Sequence, residues 1–265
     1  MNSIESQMLE ILEFGKDKYY FVGIKSEFEA EGARLDEIHR LVELTRKSGL
    51  NLAIKIGGCE AISDLYNAKL LGAEYIIAPM VESAYSLKKY IDAKNKVFSS
   101  EERKNVRFLF NLETITSYDN LDSIIDIATI EDGVDGIVFG RVDFVGSIGF
   151  DRKKISSNEI GFYINKISEI CKKNNLDFVV GGAVSNETIS SVIDAYKIYL
   201  TRFETRKVIF NSDILKSSEK ELFKALELAV KFELLWLKNK QNYYSNIAKE
   251  DVSRIEMLSK RFENF

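Results

Sequence analysis

Apolar residues along this chain follow two alternating rhythms. Short, nearly continuous runs rich in β-branched and aromatic residues recur: KYYFVGIKSE (18–27), NLAIKIGG (51–58), EYIIAPMV (74–81), NVRFLFNLE (105–113), GIVFGRVD (136–143), LDFVVGGAV (176–184) and KIYLTRFE (197–204). Strands buried on both faces have this texture. Amphipathic stretches lie between them. In RLDEIHRLVELTRKSGL (34–50), Leu35, Ile38, Val42 and Leu44 fall at helical spacing, and Gly49 closes the pattern. CEAISDLYNAKLLG (59–72), ESAYSLKKYIDAKN (82–95) and NEIGFYINKISEICKKNN (158–175) behave alike. Strand–helix alternation at intervals of roughly 20–40 residues predicts βα units and a parallel sheet.

The predicted fold class is therefore α/β, a TIM-type (β/α)8 barrel. Such a barrel needs eight strands, and seven are visible. Either a short strand is hidden, with the N-terminal region as a candidate, or the barrel is irregular. A doubly wound open sheet is the alternative, although no Gly-x-Gly-x-x-Gly turn is present for a nucleotide. Beyond residue 210 the pattern is helical. SEKELFKALELAVKFELLWLKNK (218–240) is long and strongly apolar, and KEDVSRIEMLSKRF (249–262) reads as a second helix. The expected organisation is a barrel domain over 1–210 and C-terminal helices over 211–265, packed on the barrel or on a partner subunit. Trp236 belongs to that packing.

Composition narrows the function classes. The chain of 265 residues is 45% hydrophobic and 29% charged, ordinary for a globular protein with a substantial core. A net charge of −4 argues against general nucleic-acid binding. No apolar run reaches the roughly 18 residues that span a membrane. The N-terminal stretch is acidic and lacks a signal-peptide n-region. Cys59 and Cys171 lie far apart without metal-type spacing and read as reduced, cytoplasmic thiols. His39 is the single histidine, which excludes a poly-His metal site and argues against a His-based triad. It lies inside a helical pattern and is expected to face solvent.

Barrel enzymes carry their functional groups at the C-terminal ends of strands. Those ends hold Lys25, Glu27, Glu29 and Glu31; Lys55 before Gly57; Glu82; Asn111 and Glu113; Arg141 and Asp143; Gly181 and Gly182; and Arg202, Glu204, Arg206 and Lys207. Glu113 and Asp143 follow strongly apolar runs about one βα unit apart. Carboxylates on neighbouring strand ends repel unless something positive lies between them. A hard divalent cation, Mg²⁺ or Mn²⁺, suits two carboxylates and waters. Separate salt bridges to Lys55, Arg141 or Arg202 are the alternative.

Three segments resemble the HpcH/HpaI aldolase and citrate lyase β-subunit superfamily. FLFNLET (108–114) is similar to the strand that ends in a metal-binding Glu. GVDGIVFGRVDFVGSIG (133–149) resembles the segment whose Asp is the second ligand. LGAEYIIAPMVESAYSLKKYI (71–91) resembles the strand and helix around "PMV". Their order and spacing agree over residues 50–150, and more loosely over 20–205. The resemblance implies a cytoplasmic carbon–carbon lyase, metal-dependent through Glu113 and Asp143, acting on a keto-acid substrate by way of a pyruvate-type enolate. It also implies a homo-oligomer.

Two departures stand out. The family's carboxylate-binding Arg falls on Lys55, which supplies charge without a bidentate fork. The family's His base has no counterpart. The nearest match is KSEFEAEG, with Glu27 beside Phe28. The proton acceptor is a metal-bound water, or Glu27 or Glu29 if burial raises its pKa; Glu27 is the favoured candidate, against a salt bridge to Lys25 or Lys55, and Arg141 is a candidate for additional positive charge. YLTRFETRKVIF (199–210) matches no family pattern. Strand alternation sends Arg202, Glu204 and Arg206 to one face, either as a charge ladder or as an anion clamp. The substrate-binding candidates are Lys25, Gly57, Arg202, Arg206 and Gly182; for Gly57 a plain βα turn is the favoured alternative. Two competing functions remain: a citrate-lyase-like acyl-CoA lyase, which would want a basic surface for the CoA phosphates, and a non-catalytic anion-binding barrel.

Overall fold

The computed structural model describes residues 1–263. Eight strands close into one barrel in chain order: β1 (Phe21–Glu27), β2 (Asn51–Lys55), β3 (Tyr75–Ala78), β4 (Arg107–Leu112), β5 (Gly136–Gly140), β6 (Asp177–Gly181), β7 (Arg202–Glu204) and β8 (Val208–Asn211). β1 to β7 run parallel, each paired with the next. β8 runs antiparallel to both β7 and β1 and closes the ring. The eighth strand is thus not near the N-terminus. It hides in the charged 199–210 segment, because a turn at Thr205–Lys207 replaces the helix expected before it.

The helices are α1 (Ser3–Tyr19), α2 (Leu35–Ser48), α3 (Ile62–Leu70), α4 (Ala84–Val97), α5 (Ser100–Arg103), α6 (Ile115–Asp119), α7 (Leu121–Ala128), α8 (Arg141–Ser147), α9 (Asn158–Asn174), α10 (Ser190–Ile198) and α11 (Glu219–Phe262). α11 is one continuous helix where the pattern predicts two. Ser218 caps its start by accepting from the Glu221 N–H. Leu222, Leu226, Phe232 and Trp236 bury its inner face, part of it against α1. All described residues beyond Tyr244 are exposed. Among the described residues no helix is long and apolar enough to cross a membrane.

Period-two alternation divides each strand. Ile24, Leu52, Ile54, Ile76, Phe108, Phe110, Ile137, Phe139, Phe178, Val180 and Phe203 join the large core that the helices cover. Ile77, Leu109, Val138 and Val179 form a separate small cluster, the apolar plug inside the barrel. The same inward parity, one step nearer the C-terminal ends, falls on Lys25, Lys55, Asn111, Gly140, Gly181 and Glu204. The plug below and the helices around leave this polar layer facing only the barrel mouth.

Candidate active site

A cavity of about 410 Å³ opens at that mouth, within the range of small-ligand sites. Four cationic and six carboxylate side chains line it, a formal net charge of −2. Most of the cations are already paired. Lys25 Nζ lies 2.5 Å from Glu204 Oε1 and 3.1 Å from Glu27 Oε1. Burial disfavours the Lys25 ammonium, but Glu204 and Glu27 outweigh burial and raise its pKa. Burial likewise pushes the Glu27 carboxyl upward, and the neighbouring Lys25, then Lys55 and Arg206, overcome it and hold the carboxyl below its ordinary range. Glu27 is therefore a weakened base, held ionised by its lysine.

Lys55 Nζ lies 2.8 Å from Glu29 Oε2 and 3.4 Å from Glu113 Oε2. Burial opposes its charge, yet Glu113 and Glu29 together raise its pKa. Lys207 and Arg206, in the β7–β8 turn, both pair with Glu31.

Glu113 is buried and held from three sides. Its Oε1 accepts from the Met80 N–H at 3.0 Å, and its Oε2 accepts from Asn111 Nδ2 at 2.5 Å and from Lys55. Met80 adopts φ 49°, a left-handed conformation uncommon outside glycine, and so turns its N–H toward the carboxylate. Gly140 gives Glu113 its room, for a Cβ at position 140 would meet the Glu113 side chain at 2.8 Å. Asp143 also lines the cavity, and among the described residues its carboxylate has no hydrogen-bond or ion-pair partner. It stands in the first turn of α8, not on a strand, because the chain turns into helix directly after Gly140.

Several candidates lie elsewhere. Arg141 is fully buried with its guanidinium turned from the cavity. It donates to the carbonyls of Gly181, Gly182 and Thr188 and to Ser191 Oγ. Burial lowers its pKa to about 10. It braces the β6–α10 loop and cannot reach a substrate. Arg202 starts β7 at the opposite end of the barrel, bonded to Asp177 at 2.8 Å and lying over Tyr75. Inward parity holds for Arg202 and Glu204, but the two point into different ends of the barrel, so Arg202 joins no clamp with Glu204 or Arg206; Arg206, in the β7–β8 turn, does line the cavity, paired there with Glu31. Gly57 donates its N–H to Asp64 Oδ2 at 2.7 Å, a βα turn outside the cavity. Gly182 does line the cavity, with φ +82° and close to the Arg141 and Val142 amides. His39 is exposed and lines a different cavity, of about 580 Å³, between the start of α1, α2 and α11. There the buried Glu5 and Glu37 are already paired with Arg40 and Lys240.

The sequence marks Asn111 as a strand-end residue and Glu204 as a member of the charged β7 face without giving either a role of its own, and it does not point to Arg152 or Glu233, all four of which line the cavity. Strand parity points to Asn111 and Glu204, since each shares the inward face of its strand. Nothing local in the sequence marks Glu233, which α11 brings to the mouth.

The donor chemistry suits a hard divalent cation. Among the described residues no cluster of three or more His, Cys, Asp or Glu side chains is ready-made for a metal. Glu113 nevertheless keeps an unused lone pair on Oε1, Asp143 is free, and the buried Asn111 Oδ1 has no hydrogen-bond partner. All are hard oxygens, and the net negative lining favours added positive charge.

Solved structures of known proteins share the fold. An HpcH/HpaI aldolase from Desulfitobacterium hafniense DCB-2 is 14% identical with a TM-score of 0.60, over 74% of this chain and 82% of that one. An HpcH/HpaI aldolase/citrate lyase family protein from Burkholderia cenocepacia J2315 is 14% identical with a TM-score of 0.58, over 86% and 89%. A variant of the citrate synthase SbnG is 15% identical with a TM-score of 0.52, over 89% and 90%. No curated protein matches the sequence. The model of the HpcH/HpaI aldolase/citrate lyase family matches residues 55–197, more than half of the chain and the span from Lys55 through Glu113 and Asp143 to α10. The chain belongs to the HpcH/HpaI aldolase/citrate lyase family.

Proposed function

We propose that the protein is a divalent-metal-dependent carbon–carbon lyase that acts on a 2-keto acid through a pyruvate-type enolate. The observation that carries this is the Glu113 carboxylate. It is buried, fixed by Met80, Asn111 and Lys55, and still holds an open lone pair toward a cavity that Asp143 also lines. Glu113 and Asp143 would hold Mg²⁺ or Mn²⁺, with the Asn111 carbonyl available to the ion or its water. When bound, such an ion supplies Lewis-acid stabilisation of the negative charge that develops on the keto oxygen.

The chain's own residues supply the rest. Lys55 brings a fixed ammonium whose position is set by Glu29 and Glu113, so it adds positive charge without reorganising. Glu204 and Glu27 fix Lys25 in the same way on the β1 side, where its charge can orient a carboxylate. The apolar plug beneath and the helices around exclude water from all but the mouth. The negative lining and the paired lysines disfavour the polyanionic tail of an acyl-CoA.

The test is Mn²⁺ titration of the parent chain, Glu113→Ala and Asp143→Ala, followed by a pyruvate assay on a panel of 2-keto-4-hydroxy acids that includes long sugar acids. Binding lost in both variants and pyruvate released by the parent are expected. Parent binding that persists unchanged in both variants sinks the metal site. Pyruvate absent across the panel points instead to an anion-binding barrel without turnover.

A further inference from the structure

Aldol cleavage needs a group to take the proton from the substrate hydroxyl, and the carboxylates nearest the lysines are poorly placed for it. Glu27 is tied to Lys25, Glu29 to Lys55, Glu31 to Lys207 and Arg206, and Glu204 to Lys25. Asp143 and Glu113 are assigned to the cation. One carboxylate of the cavity is left. Glu233, on α11, lines the mouth and makes no hydrogen bond or ion pair among the described residues. Its helix is seated there by the buried Ala229, Phe232 and Trp236, with Lys207 Nζ 5.9 Å from the Trp236 ring, and the exposed Val230 lines the same cavity.

We propose that Glu233 is the general base for the hydroxyl proton, supplied to the barrel mouth by the C-terminal helix. The assignment rests on the lyase reading above. In a 2-keto-4-hydroxy acid the Glu233 carboxylate takes the proton from the hydroxyl on C4. The O–H bonding pair becomes the second bond of the aldehyde carbonyl, and the C3–C4 bond breaks. Its electron pair forms the C2=C3 bond, and the C2 oxygen gains the negative charge. The protonated Glu233 then returns the proton to C3, which yields pyruvate and restores the carboxylate.

The environment suits that role. Half-burial raises the Glu233 pKa above the ordinary value. The charged groups that face it are Lys207 and Arg206 from the β7–β8 turn and Lys25 from β1, which lower it, and Glu31 from the β1–α2 loop, which raises it. Burial outweighs the cations because Lys207 and Arg206 are themselves occupied by Glu31. A carboxylate of raised basicity transfers protons more effectively near neutral pH than one held by a lysine.

The test compares two reactions of the full chain at saturating Mn²⁺, in the parent and in Glu233→Gln. One is cleavage of a 2-keto-4-hydroxy acid. The other is decarboxylation of oxaloacetate, which forms the same enolate but requires no hydroxyl proton to be removed. The ratio of cleavage to decarboxylation is expected to fall about a hundredfold in the variant, the scale of a lost general base. An NMR titration of the metal-free parent should also find the Glu233 carboxyl above the ordinary value of 4.5. An unchanged ratio, or a Glu233 midpoint at or below the ordinary value, overturns the assignment. A parent that neither cleaves nor decarboxylates fails at the lyase reading itself, and the role of Glu233 falls with it.

Discussion

Lys55 and Glu113 meet at 3.4 Å inside the barrel mouth, while Glu29 holds the same ammonium at 2.8 Å. The ammonium lies nearer Glu29, yet Glu113 is its larger electrostatic partner. In the proposed metal site, this fixed cation and the added one would share one carboxylate.

That sharing sets a prediction for Lys55→Met. The variant removes a competing charge from Glu113 and makes the cavity more negative, so Mn²⁺ should bind as tightly as in the parent or more so. Turnover should nevertheless fall roughly a hundredfold, as when one preorganised electrostatic group is removed from a site. Calorimetric Mn²⁺ titration alongside steady-state kinetics separates the two effects. Weaker metal binding in the variant would show instead that Lys55 organises the ligand set.

The barrel and its rim were legible to different depths. The seven parallel strands stand out because both faces are buried and the runs are almost unbroken in hydrophobicity. β8 does not, because four residues behind the charged turn at Thr205–Lys207 leave no room for a pattern and no helix sets the rhythm. Glu113 is visible as a charge at the end of an apolar strand. The roles of Arg141 and Arg202 are not, since each is decided by which end of the barrel, and which loop, a long side chain reaches. Arg141 finds the carbonyls of a loop some 40 positions later, and Arg202 finds Asp177 below the plug. Glu233 depends on where a helix lands after the ring has closed, a fact held by tertiary packing alone.

Arg141 carries the next prediction. Its guanidinium satisfies the Gly181, Gly182 and Thr188 carbonyls in a fully buried place. Arg141→Met relieves a buried charge but strands those acceptors. Stranded buried acceptors outweigh the relief, so a loss of about 2–5 kcal/mol is expected. Urea denaturation followed by circular dichroism measures it. A variant within about 0.5 kcal/mol of the parent, the range of an ordinary surface change, would mean that the loop finds other donors.

Glu27 sets a pH dependence. The unfolded chain titrates this group near 4.5, and the folded chain holds it lower, through Lys25 first among its partners. A depressed carboxyl stabilises the fold fully above the unfolded value, and that contribution disappears as the pH falls through the folded one. Glu27→Gln should therefore be less stable than the parent at pH 7, and the difference should shrink steadily below about pH 4.5. Lys25 keeps Glu204 at 2.5 Å in the variant, so the strand end stays paired and the fold survives. Urea midpoints for both proteins between pH 7 and pH 3 provide the measurement. Parallel curves across that window would mean that Glu27 has the same proton affinity folded and unfolded, and its contact with Lys25 would then contribute nothing to the acid response.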